Sequence, residues 1–558
     1  MFKKTSTTIQ HNLFTSSQNL LSGKSLKIYD NQQQWHNVFR NQVTMRIDED
    51  IFRPLYSNGT GSPNAPIRTM IAMMVLKEAE GLSDQKLFED CRFNMLTRSA
   101  IGLLKMDDTV PAQSTYYLFR KLIDQYAKEN KENLLDLVFS KLSKDQSVEF
   151  DVSGKRIRMD SKLIGSNIAW MSRYELVHET LRLFYKTIHK SNKLSPDLKE
   201  QLDALLKMKA QNVVYTLTRE DVKTRFKQLG TLIDVLLACF SKDKSEAYDT
   251  LKKVFEQQFE VDKPKVVTRK KEDISSKSIQ SPHDTDCHYR NKDGNKVKGY
   301  SINVTESCDD DKELNLIGSV NVKVVTTSDV EFFEQDIKKA QEVFPDKTKD
   351  VHADGAYHSP ENQLFCETND IDLHLHAIQG AKGRYKLEKL KDILTIYDTY
   401  TSQYKCVTKT KSKNNEDKWR IKTENGYRYF TQKDIDTALV RKKIEQTPIE
   451  ILQKRNNVEA TIFQIGYHFS NGKSKYRGLN RHQMWANIRC IWVNFVRILK
   501  YLGASMQKIK TSTLLAAIFL IIRLFMEKFK PNRSTILVYN PKYLLLRFRL
   551  QKNNLYAF

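Results

Sequence analysis

The chain has 558 residues, of which 40% are hydrophobic, and its formal net charge is +24. This length and apolar content exceed the needs of one small domain and predict several hydrophobic cores. The charge is uneven, because residues 441–558 contain 22 Lys and Arg but only 4 Asp and Glu. A basic region of this kind attracts polyanions, with nucleic acid as the default partner, and the alternative is a solvated surface or a basic tail.

Three further features exclude some classes of protein. Seven cysteines stand singly, and no two have C-x-x-C spacing, which indicates a reducing cytosol and not a disulfide framework or zinc module. The N-terminus, Met1-Phe2-Lys3-Lys4, lacks the apolar run of a signal peptide. The most apolar run, Leu514 to Ile522, stops at Arg523, short of the ~20 residues of a membrane span. We therefore expect a buried helix there, no membrane partner and a cytoplasmic protein.

The first 148 residues divide into two patterns. Residues 1–35 are polar and predict an arm or disordered lead, whereas residues 36–148 show helical periodicity. Ser83 is placed to cap a helix, and the turn at 111–115 precedes a long helix. Short helices separated by tight turns are compatible with a helix-turn-helix DNA reader and equally with a plain helical bundle. The apolar face that defines the periodicity consists of Ile67, Ile71, Met74 and Val75.

The next elements alternate between strand and helix. Residues 155–160 predict a strand with Ile157 and Met159 on one face and Arg156, Arg158 and Asp160 on the other. A helical block follows at 171–263, and a charged linker at 263–281 separates it from the next module.

A second group of strands follows the linker. Residues 297–304, 317–325 and 350–354 predict strands, and residues 330–344 predict a helix. This order places Asp160 on the first strand and Asp354 at the end of the fourth. Chemistry in such sheets usually gathers at strand ends.

The last part begins with a mixed segment, 372–440, which predicts a small β-rich insert. Thr447 is then predicted to cap a helix, with Pro448 in its first position and Glu450 closing a capping box. Gly466 lies where this helix is expected to end. Arg455 and Glu459 are four residues apart and share a face of that helix.

Three carboxylates occupy settings that suit a metal site. Asp160 and Asp354 end strand-like runs, and Glu459 is one of two acidic residues between 451 and 558. Two divalent ions ~3.5–4 Å apart activate the nucleophile and stabilise the leaving oxygen in phosphodiester cleavage. Asp160 would bridge the ions, with Asp354 on one and Glu459 on the other. Arg455 would hold a DNA phosphate, or form only an i, i+4 ion pair with Glu459.

Several segments resemble DDE-type transposases of bacterial insertion sequences, in order, over roughly residues 50–500. The segment 158–164, Arg-Met-Asp-Ser-Lys-Leu-Ile, with Asn167-Ile168-Ala169 after it, is similar to the family's first-aspartate segment. His352-Ala353-Asp354-Gly355-Ala356-Tyr357 resembles the second, and Arg455-Asn456-Asn457-Val458-Glu459 resembles the third. Further similar segments are 68–104, 281–286, Gly299-Tyr300 and 476–479.

The resemblance implies an RNase H-like catalytic core within an α/β protein. It implies Mg²⁺, or Mn²⁺ in its place, held by Asp160, Asp354 and Glu459 as catalytic residues. It also implies hydrolysis at the element's terminal inverted repeats, then joining to target DNA by the freed 3′-OH. Double-stranded DNA and a second copy of the chain, as a synaptic homodimer, are the implied partners, in a bacterial, nucleoid-associated setting. The DNA-binding residues expected are Arg455, Lys473, Lys475, Arg477 and Arg481.

The chain departs from the family in two respects. Some relatives carry a Tyr three positions before the Arg and a Lys seven after the Glu, where this chain has Leu452 and Gly466. DNA-hairpin chemistry tied to that fuller motif is therefore in question, and Lys473 or Lys475 is a candidate substitute. Relatives also carry cysteine pairs before the third acid, where this chain has only Cys366 and Cys406, so we predict no zinc.

These assignments divide the chain into six regions. They are a polar arm (1–35), a helical N-terminal DNA-binding domain (36–148), the RNase H-like core (149–170, 283–360 and 446–500), a helical insert and linker (171–282), a β-rich insert (361–445) and a basic C-terminal region (501–558).

Some conspicuous residues have plainer interpretations. His352 and His358 are expected to be neutral histidines instead of metal ligands. Asp284 and Asp286 are expected to form a turn, Trp170 to pack in a core, and Trp419 either to pack or to stack on a base. Two rival functions stay open: a degenerate, non-catalytic DNA-binding relative, and a free-standing RNase H-like nuclease.

Overall fold

The computed structural model describes residues 1–5, 16–191, 193–262, 265–292, 294–310, 313–378, 383–390, 393–412, 415–424 and 426–528. For Leu390 and residues 506–528 it describes the backbone alone. The chain divides into two compact units, Met1–Leu499 and a second that begins at Lys500. Residues 529–558, which belong to the predicted basic C-terminal region, lie outside the described residues.

Helices fill the N-terminal part, as the periodicity predicts. Ser83 caps its helix as expected, accepting a hydrogen bond of 3.1 Å from the Lys86 amide. The predicted arm is wrong for the described part of residues 1–35, because the Met1 ammonium donates to the Ser62 carbonyl and a helix forms after Ser22. The helices are α1 (Gly23–Asp30), α2 (Trp35–Gln42), α3 (Ile67–Glu80), α4 (Asp84–Phe93), α5 (Met95–Ala100), α6 (Gln113–Asn130) and α7 (Leu134–Glu149).

The helical block after the first strand forms its own hydrophobic core. Its elements are α8 (Arg173–Ile188), α9 (Pro196–Leu206), α10 (Ala210–Thr216), α11 (Arg219–Cys239), α12 (Glu246–Gln258) and the hairpin of β2 (Phe259–Asp262) and β3 (Lys265–Thr268). The charged segment 263–281 is not the separating linker that we predict, because its strand β3 pairs with β2 and Ile279 is buried in the core of this block. Apolar residues within a charged run therefore attach it to the insert.

A six-stranded sheet organises the region that contains the candidate carboxylates. β1 (Arg156–Gly165) pairs antiparallel with β5 on one side and parallel with β7 on the other. The order is β6–β5–β1–β7–β8, with β4 pairing the N-terminal part of β5 beside β6. The predicted strands are confirmed, and β4 and β8 are additional. Their ranges are β4 (His288–Lys292), β5 (Asn295–Ser307), β6 (Ile317–Val324), β7 (Asp350–Ala353) and β8 (Asp372–Leu375).

Apolar side chains of this sheet are buried in the core. Ile157 and Met159 of β1 are fully buried, and α13 (Val330–Val343), the helix predicted at 330–344, packs Phe333 and Ile337 into the core. α14 (Pro360–Asn369) links β7 to β8. The β-rich insert therefore begins later than the predicted residue 361, because α14 leads into β8, which pairs with β7 in the central sheet.

The insert itself contains two three-stranded antiparallel sheets and a helix. Its core includes Trp419, which is 5% exposed, with Ile396 and Ile435. A packing role for Trp419 therefore replaces the base-stacking alternative. The elements are β9 (Tyr385–Leu390), β10 (Ile393–Asp398), β11 (Gln403–Lys405), β12 (Thr408–Lys411), β13 (Asp417–Thr423), β14 (Gly426–Thr431) and α15 (Gln432–Gln446).

The C-terminal helices differ from the single capped helix that we predict. α16 (Ile449–Gln453) and α17 (Asn456–Ile465) are separate, and α18 spans Leu479–Lys528. Thr447 does not cap α16, because it ends α15 and its hydroxyl donates to the Lys443 carbonyl at 2.7 Å. Gly466 ends α17 as expected. Among the described residues, none of the helices has the length and apolar character needed to cross a membrane.

Candidate active site

Strand register brings the two aspartates together. In the parallel pair of β1 and β7, Arg158 lies opposite His352. Asp160 and Asp354 each come two residues later, and alternate residues of a strand point to the same face. The two carboxylates therefore lie next to each other at the carboxyl end of β7.

The third carboxylate arrives on α17, which packs against β1. Arg455 precedes this helix, and its guanidinium lies within ion-pair distance of all three acids. Its Nη2 is 3.1 Å from Asp160 Oδ2 and 3.7 Å from Asp354 Oδ2, and its Nη1 is 3.4 Å from Glu459 Oε1. One cluster, the Arg455 cluster, thus contains four residues that were singled out in the sequence: Asp160, Asp354, Glu459 and Arg455.

The three acids differ in exposure and in electrostatics. The Asp160 side chain is 14% exposed, whereas those of Asp354 and Glu459 are 43% and 62% exposed. Burial raises the pKa of the Asp160 carboxyl, although the nearby Arg455 charge works in the opposite direction. Solvent exposure therefore increases across the cluster, from the buried carboxyl of Asp160 to the carboxyl of Glu459, which projects into solvent.

Backbone amides fix the two aspartates. Asp160 Oδ1 accepts a hydrogen bond from the Ser161 amide at 2.9 Å, and Asp354 Oδ1 accepts one from the Gly355 amide at 2.6 Å. Each aspartate keeps its other carboxylate oxygen turned toward Arg455. These bonds fix the orientation of both carboxylates.

Behind the cluster lies a buried ionic network that sequence reasoning missed. Glu306 of β5 is fully buried and accepts hydrogen bonds from Arg158 (2.6 Å) and Thr461 (2.8 Å). Its Oε2 also forms an ion pair with Arg497 Nη1 at 2.7 Å. Burial works to raise the pKa of the Glu306 carboxyl, but Arg497 and Arg158 outweigh it and hold the pKa below its ordinary value. Arg158 also donates to the Lys454 carbonyl at 3.0 Å.

This network ties together the parts that carry the candidate site. Arg158 lies two residues before Asp160, Thr461 lies two residues after Glu459, and Lys454 lies just before Arg455. The only sequence signal was the polar position of Arg158 in a strand, which the alternation assigns to an open face, whereas the structure buries it. Its partner Glu306 is 148 residues away, and no local pattern connects the two.

A second buried group supports the turn after β7. The Tyr357 hydroxyl donates to the Asn303 side-chain oxygen, and Asn303 donates to Asp336 of α13. Burial raises the pKa of the Asp336 carboxyl to about 6, against hydrogen bonds from Asn303 and Asn321 that favour its charged form. Tyr357, three residues after Asp354, therefore anchors the Asp354 turn to the sheet and to α13.

The three carboxylates converge on the Arg455 guanidinium. Within the described ranges, no group of three His, Cys, Asp or Glu side chains is arranged to hold a metal ion. The donor set nevertheless suits Mg²⁺ or Mn²⁺, since both prefer hard oxygen ligands and all three carboxylates already face one cation. Arg455 stands where their negative potentials overlap.

The two histidines beside Asp354, His352 and His358, have lowered pKa values. His352 is buried and stacks on His374 with 4.8 Å between ring centroids. Burial, together with the nearby His374, lowers the pKa of the His352 imidazole to about 3. Burial also lowers the pKa of His358.

Trp170 does not pack in a core, so that prediction is wrong. The side chain is 50% exposed, and the Lys298 ammonium lies 4.8 Å from the centre of its ring. Tyr289 approaches the indole edge-on at 6.4 Å between centroids. The Trp170 ring therefore lies at the surface, in contact with Lys298 and Tyr289.

Asp284 has the structural role that we expect for a turn residue. It is buried, accepts a hydrogen bond from the Tyr300 hydroxyl at 2.6 Å, and also accepts from Ser166. Asp286 accepts a longer bond from the Leu479 amide, at 3.3 Å. Neither residue joins the Arg455 cluster.

The predicted DNA-binding cations near residues 473–481 are all anchored to the protein. Lys473 donates to the Ile168 carbonyl at 3.0 Å, Lys475 to the Gly81 carbonyl at 3.2 Å, and Arg477 to the Asn167 carbonyl at 2.7 Å. Arg481 pairs with Asp124 at 3.1 Å. The segment 473–481 therefore contacts both the N-terminal helical part and the residues just beyond the end of β1.

Comparison with known proteins identifies one part of the chain. Residues 27–122, from α1 into α6, match the family model described as a transposase domain (DUF772). No curated protein and no solved structure matches the chain. The segment Arg68–Leu104, which resembles the helical domain of transposases, lies wholly inside the matched range. The N-terminal helical part of the chain is thus similar to a transposase domain, which supports a transposase.

Proposed function

We propose that this protein is a DDE-type transposase. It binds the terminal inverted repeats of its insertion sequence, cleaves the DNA ends by metal-dependent hydrolysis, and joins them to target DNA through the freed 3′-OH. The observation that carries the proposal is the convergence of Asp160, Asp354 and Glu459 on Arg455, from three elements far apart in sequence. The transposase-domain match at residues 27–122 supports the same function independently.

The sheet supports an RNase H-like core. Its order β6–β5–β1–β7–β8 has a central strand, an antiparallel β5 beside it and a parallel β7 on the other side. This is the arrangement in which the first acid sits on the central strand and the second follows the adjacent parallel strand. The helical insert enters between β1 and β4, and the β-rich insert follows β8, so neither insert changes this order.

Asp160, Asp354 and Glu459 would hold Mg²⁺, or Mn²⁺ in its place. When bound, such ions activate a nucleophilic water and stabilise the leaving oxygen of the phosphodiester. The residues of the chain supply binding and orientation. Asp160 is the most rigidly held acid, because it is buried and bonded to a backbone amide, and Glu459 is the most exposed.

Arg455 supplies positive charge beside the carboxylates. Its planar guanidinium matches the geometry of a phosphate oxygen pair, and its contact with Glu459 alone would be worth little. The contact with buried Asp160 fixes it at the cluster. We therefore assign Arg455 to hold a DNA phosphate at the reacting end, with Lys473, Lys475, Arg477 and Arg481 as further contacts to the DNA backbone.

An excision assay tests the proposal. A plasmid that carries the element with its own ends is incubated with Mg²⁺ and the full chain, either intact or as Asp354→Asn. Asp197→Asn, an exposed carboxylate in the first turn of α9, is the matched control. We expect excision by the intact protein and by Asp197→Asn, and none by Asp354→Asn.

Other outcomes separate the rivals. Binding of the ends without excision by any variant would favour a degenerate DNA-binding relative. Excision without joined products would favour a free-standing nuclease. Equal excision by the intact protein and by Asp354→Asn would show that the carboxylate cluster is not the active site. A second copy of the chain in the complex with two ends would support the synaptic dimer.

A further inference from the structure

A cleft of about 470 Å³ lies between the N-terminal helices and the segment that follows α17. α3 and α6 form one wall, and residues 475–488 form the other. Asn167, just beyond the end of β1, lies at its edge. None of the three candidate carboxylates lines this cleft, so it is separate from the Arg455 cluster.

The cleft is strongly cationic. Arg120, Lys121, Lys475, Arg477 and Arg481 line it, against the two carboxylates Glu78 and Asp124. Arg120 and Lys121 were not among the DNA-binding residues that the sequence predicted. Both lie on α6 and within the range 27–122 that matches the transposase domain.

The two carboxylates are already engaged. Glu78 accepts a hydrogen bond from the Tyr476 hydroxyl, and Asp124 pairs with the Arg481 Nε at 3.1 Å. Asp124 is buried on α6, whereas Lys121 is exposed and forms no ion pair with any described residue. The positive charge of the cleft therefore exceeds what its own acids offset.

Two of the three cations on the second wall, Lys475 and Arg477, are held by carbonyl groups, whereas the third, Arg481, pairs with Asp124. Arg477 donates its Nε to the Asn167 carbonyl and Lys475 donates to the Gly81 carbonyl. A carbonyl accepts a hydrogen bond but carries no net charge, so each side chain keeps its full charge and loses conformational freedom. Such fixed cations bind a phosphate with less loss of side-chain entropy than free ones.

We infer that this cleft binds the phosphate backbone of duplex DNA at a distance from the reacting end. The inference rests on the proposed function, which makes DNA the substrate, and adds where the duplex is held. β1 connects the two places, because Asn167 lies seven residues beyond Asp160. At the rise of an extended strand, this separation is roughly 20 Å, or about six base pairs of duplex.

Salt dependence of DNA binding tests the cleft. The affinity of the full chain for a duplex carrying the element end is measured between 50 and 200 mM salt. The test variant is Lys121→Ala with Arg477→Ala, and the control is Lys199→Ala with Lys252→Ala, two exposed lysines of the helical insert. Each neutralised phosphate contributes about 0.9 to the slope of log affinity against log salt.

The test variant should lose about 1.8 units of this slope, and the control none. Over the fourfold salt range the intact protein then loses about 12-fold more affinity than the test variant. Lys121→Ala alone, on an exposed helix face, should lose about half of the effect and guards against unfolding of the double variant. Equal slopes for all proteins would overturn the inference.

A second arm distinguishes the source of the phosphate. If millimolar inorganic phosphate or a mononucleotide abolishes the difference between the intact protein and the test variant, the cleft is a small-anion site and the inference fails. If the slopes differ as expected but the excision assay gives no product, the cleft stands and the catalytic proposal falls. The two hypotheses therefore fail separately.

Discussion

Replacing Glu306 by Gln is the most informative perturbation of the candidate site. The substitution keeps the size of the side chain and removes its charge. Arg158 and Arg497 then lie buried without a carboxylate, and Thr461 loses its charged acceptor. We expect the loss to appear both in stability and in the position of α17, which carries Glu459.

The expected magnitude follows from burial. Glu306 is fully buried, and the Arg158 and Arg497 side chains are 6% and 19% exposed. Removing one partner of a buried ion pair costs about 3–5 kcal/mol, because it leaves an uncompensated charge. Glutamine still offers one acceptor oxygen, so we expect about 3 kcal/mol. Glu334→Gln, which breaks a pair with Lys338 in which both side chains are more than half exposed, should cost about 1 kcal/mol or less.

Two measurements test this prediction. Chemical denaturation gives the change in the free energy of unfolding, and hydrogen exchange of the α17 amides gives the local effect. We expect faster exchange in Asn456–Ile465 in Glu306→Gln and unchanged exchange in Glu334→Gln. The intact protein and the variant should bind the element end equally, while excision falls.

A double-mutant cycle separates the network from simple loss of packing. Arg497→Met in the Glu306→Gln background removes one of the stranded charges, so the two changes together should cost less than their sum. The reasoning is refuted if Glu306→Gln unfolds at the same denaturant concentration as the intact protein and leaves the exchange of α17 unchanged. Strictly additive costs would show that the residues do not act together.

Three further predictions concern single residues. Arg455→Gln should bind Mn²⁺ more tightly in calorimetry, because no side-chain cation competes for the carboxylates, yet excise less; weaker Mn²⁺ binding would contradict this. The pKa of Asp336 is raised to about 6, so its contribution to stability is complete below about pH 4 and is lost as pH rises through 6. Denaturation midpoints should therefore fall less in Asp336→Asn over this range than in the intact protein, and equal falls would contradict the assignment. A Cβ at Gly355 would lie 1.8 Å from the Ala377 carbonyl oxygen, whereas one at Gly59 meets no atom within 4 Å. Excision should therefore drop about 100-fold in Gly355→Ala and be unchanged in Gly59→Ala, and equal rates would show that the turn tolerates displacement.

Local patterns predict the elements of this fold where neighbours in sequence decide the structure. The alternation at β1 and the helical spacing of α13 are properties of a few consecutive residues, as is the Ser83 cap. The same reasoning fails at Thr447, whose hydroxyl is equally suited to cap one helix or to end another. The choice depends on α15, which ends there.

The break between α16 and α17 has a long-range cause. The sequence Thr447–Gly466 satisfies the rules for one helix, but the Lys454 carbonyl accepts a hydrogen bond from Arg158, 296 residues away. Arg158 is buried and needs acceptors, and the carbonyl is one of them. The resulting turn places Arg455 at the carboxylates. Helix propensity within 447–466 contains no information about this contact.

The carboxylates of the candidate site could be predicted from the sequence, whereas the buried residues that support them could not. Asp160 and Asp354 end strand-like runs, and Glu459 is one of two acidic residues between 451 and 558. Their supports, Glu306 and Asp336, look like ordinary polar residues in a strand and on a helix. Only burial and pairing distinguish these two, and both properties depend on the tertiary structure.

Charge composition shows the same limit for DNA binding. The count for residues 441–558 treats Arg489, Arg497 and Arg477 alike, since each adds one positive charge. Arg489 is buried and donates to carbonyls at Ile465 and Glu78, and Arg497 pairs with Glu306. Arg477 is exposed and bonded to a single carbonyl, so its charge still reaches solvent. The attraction of this region for a polyanion therefore depends on cations such as Arg477, and the net charge of the region overstates the number of phosphates it contacts.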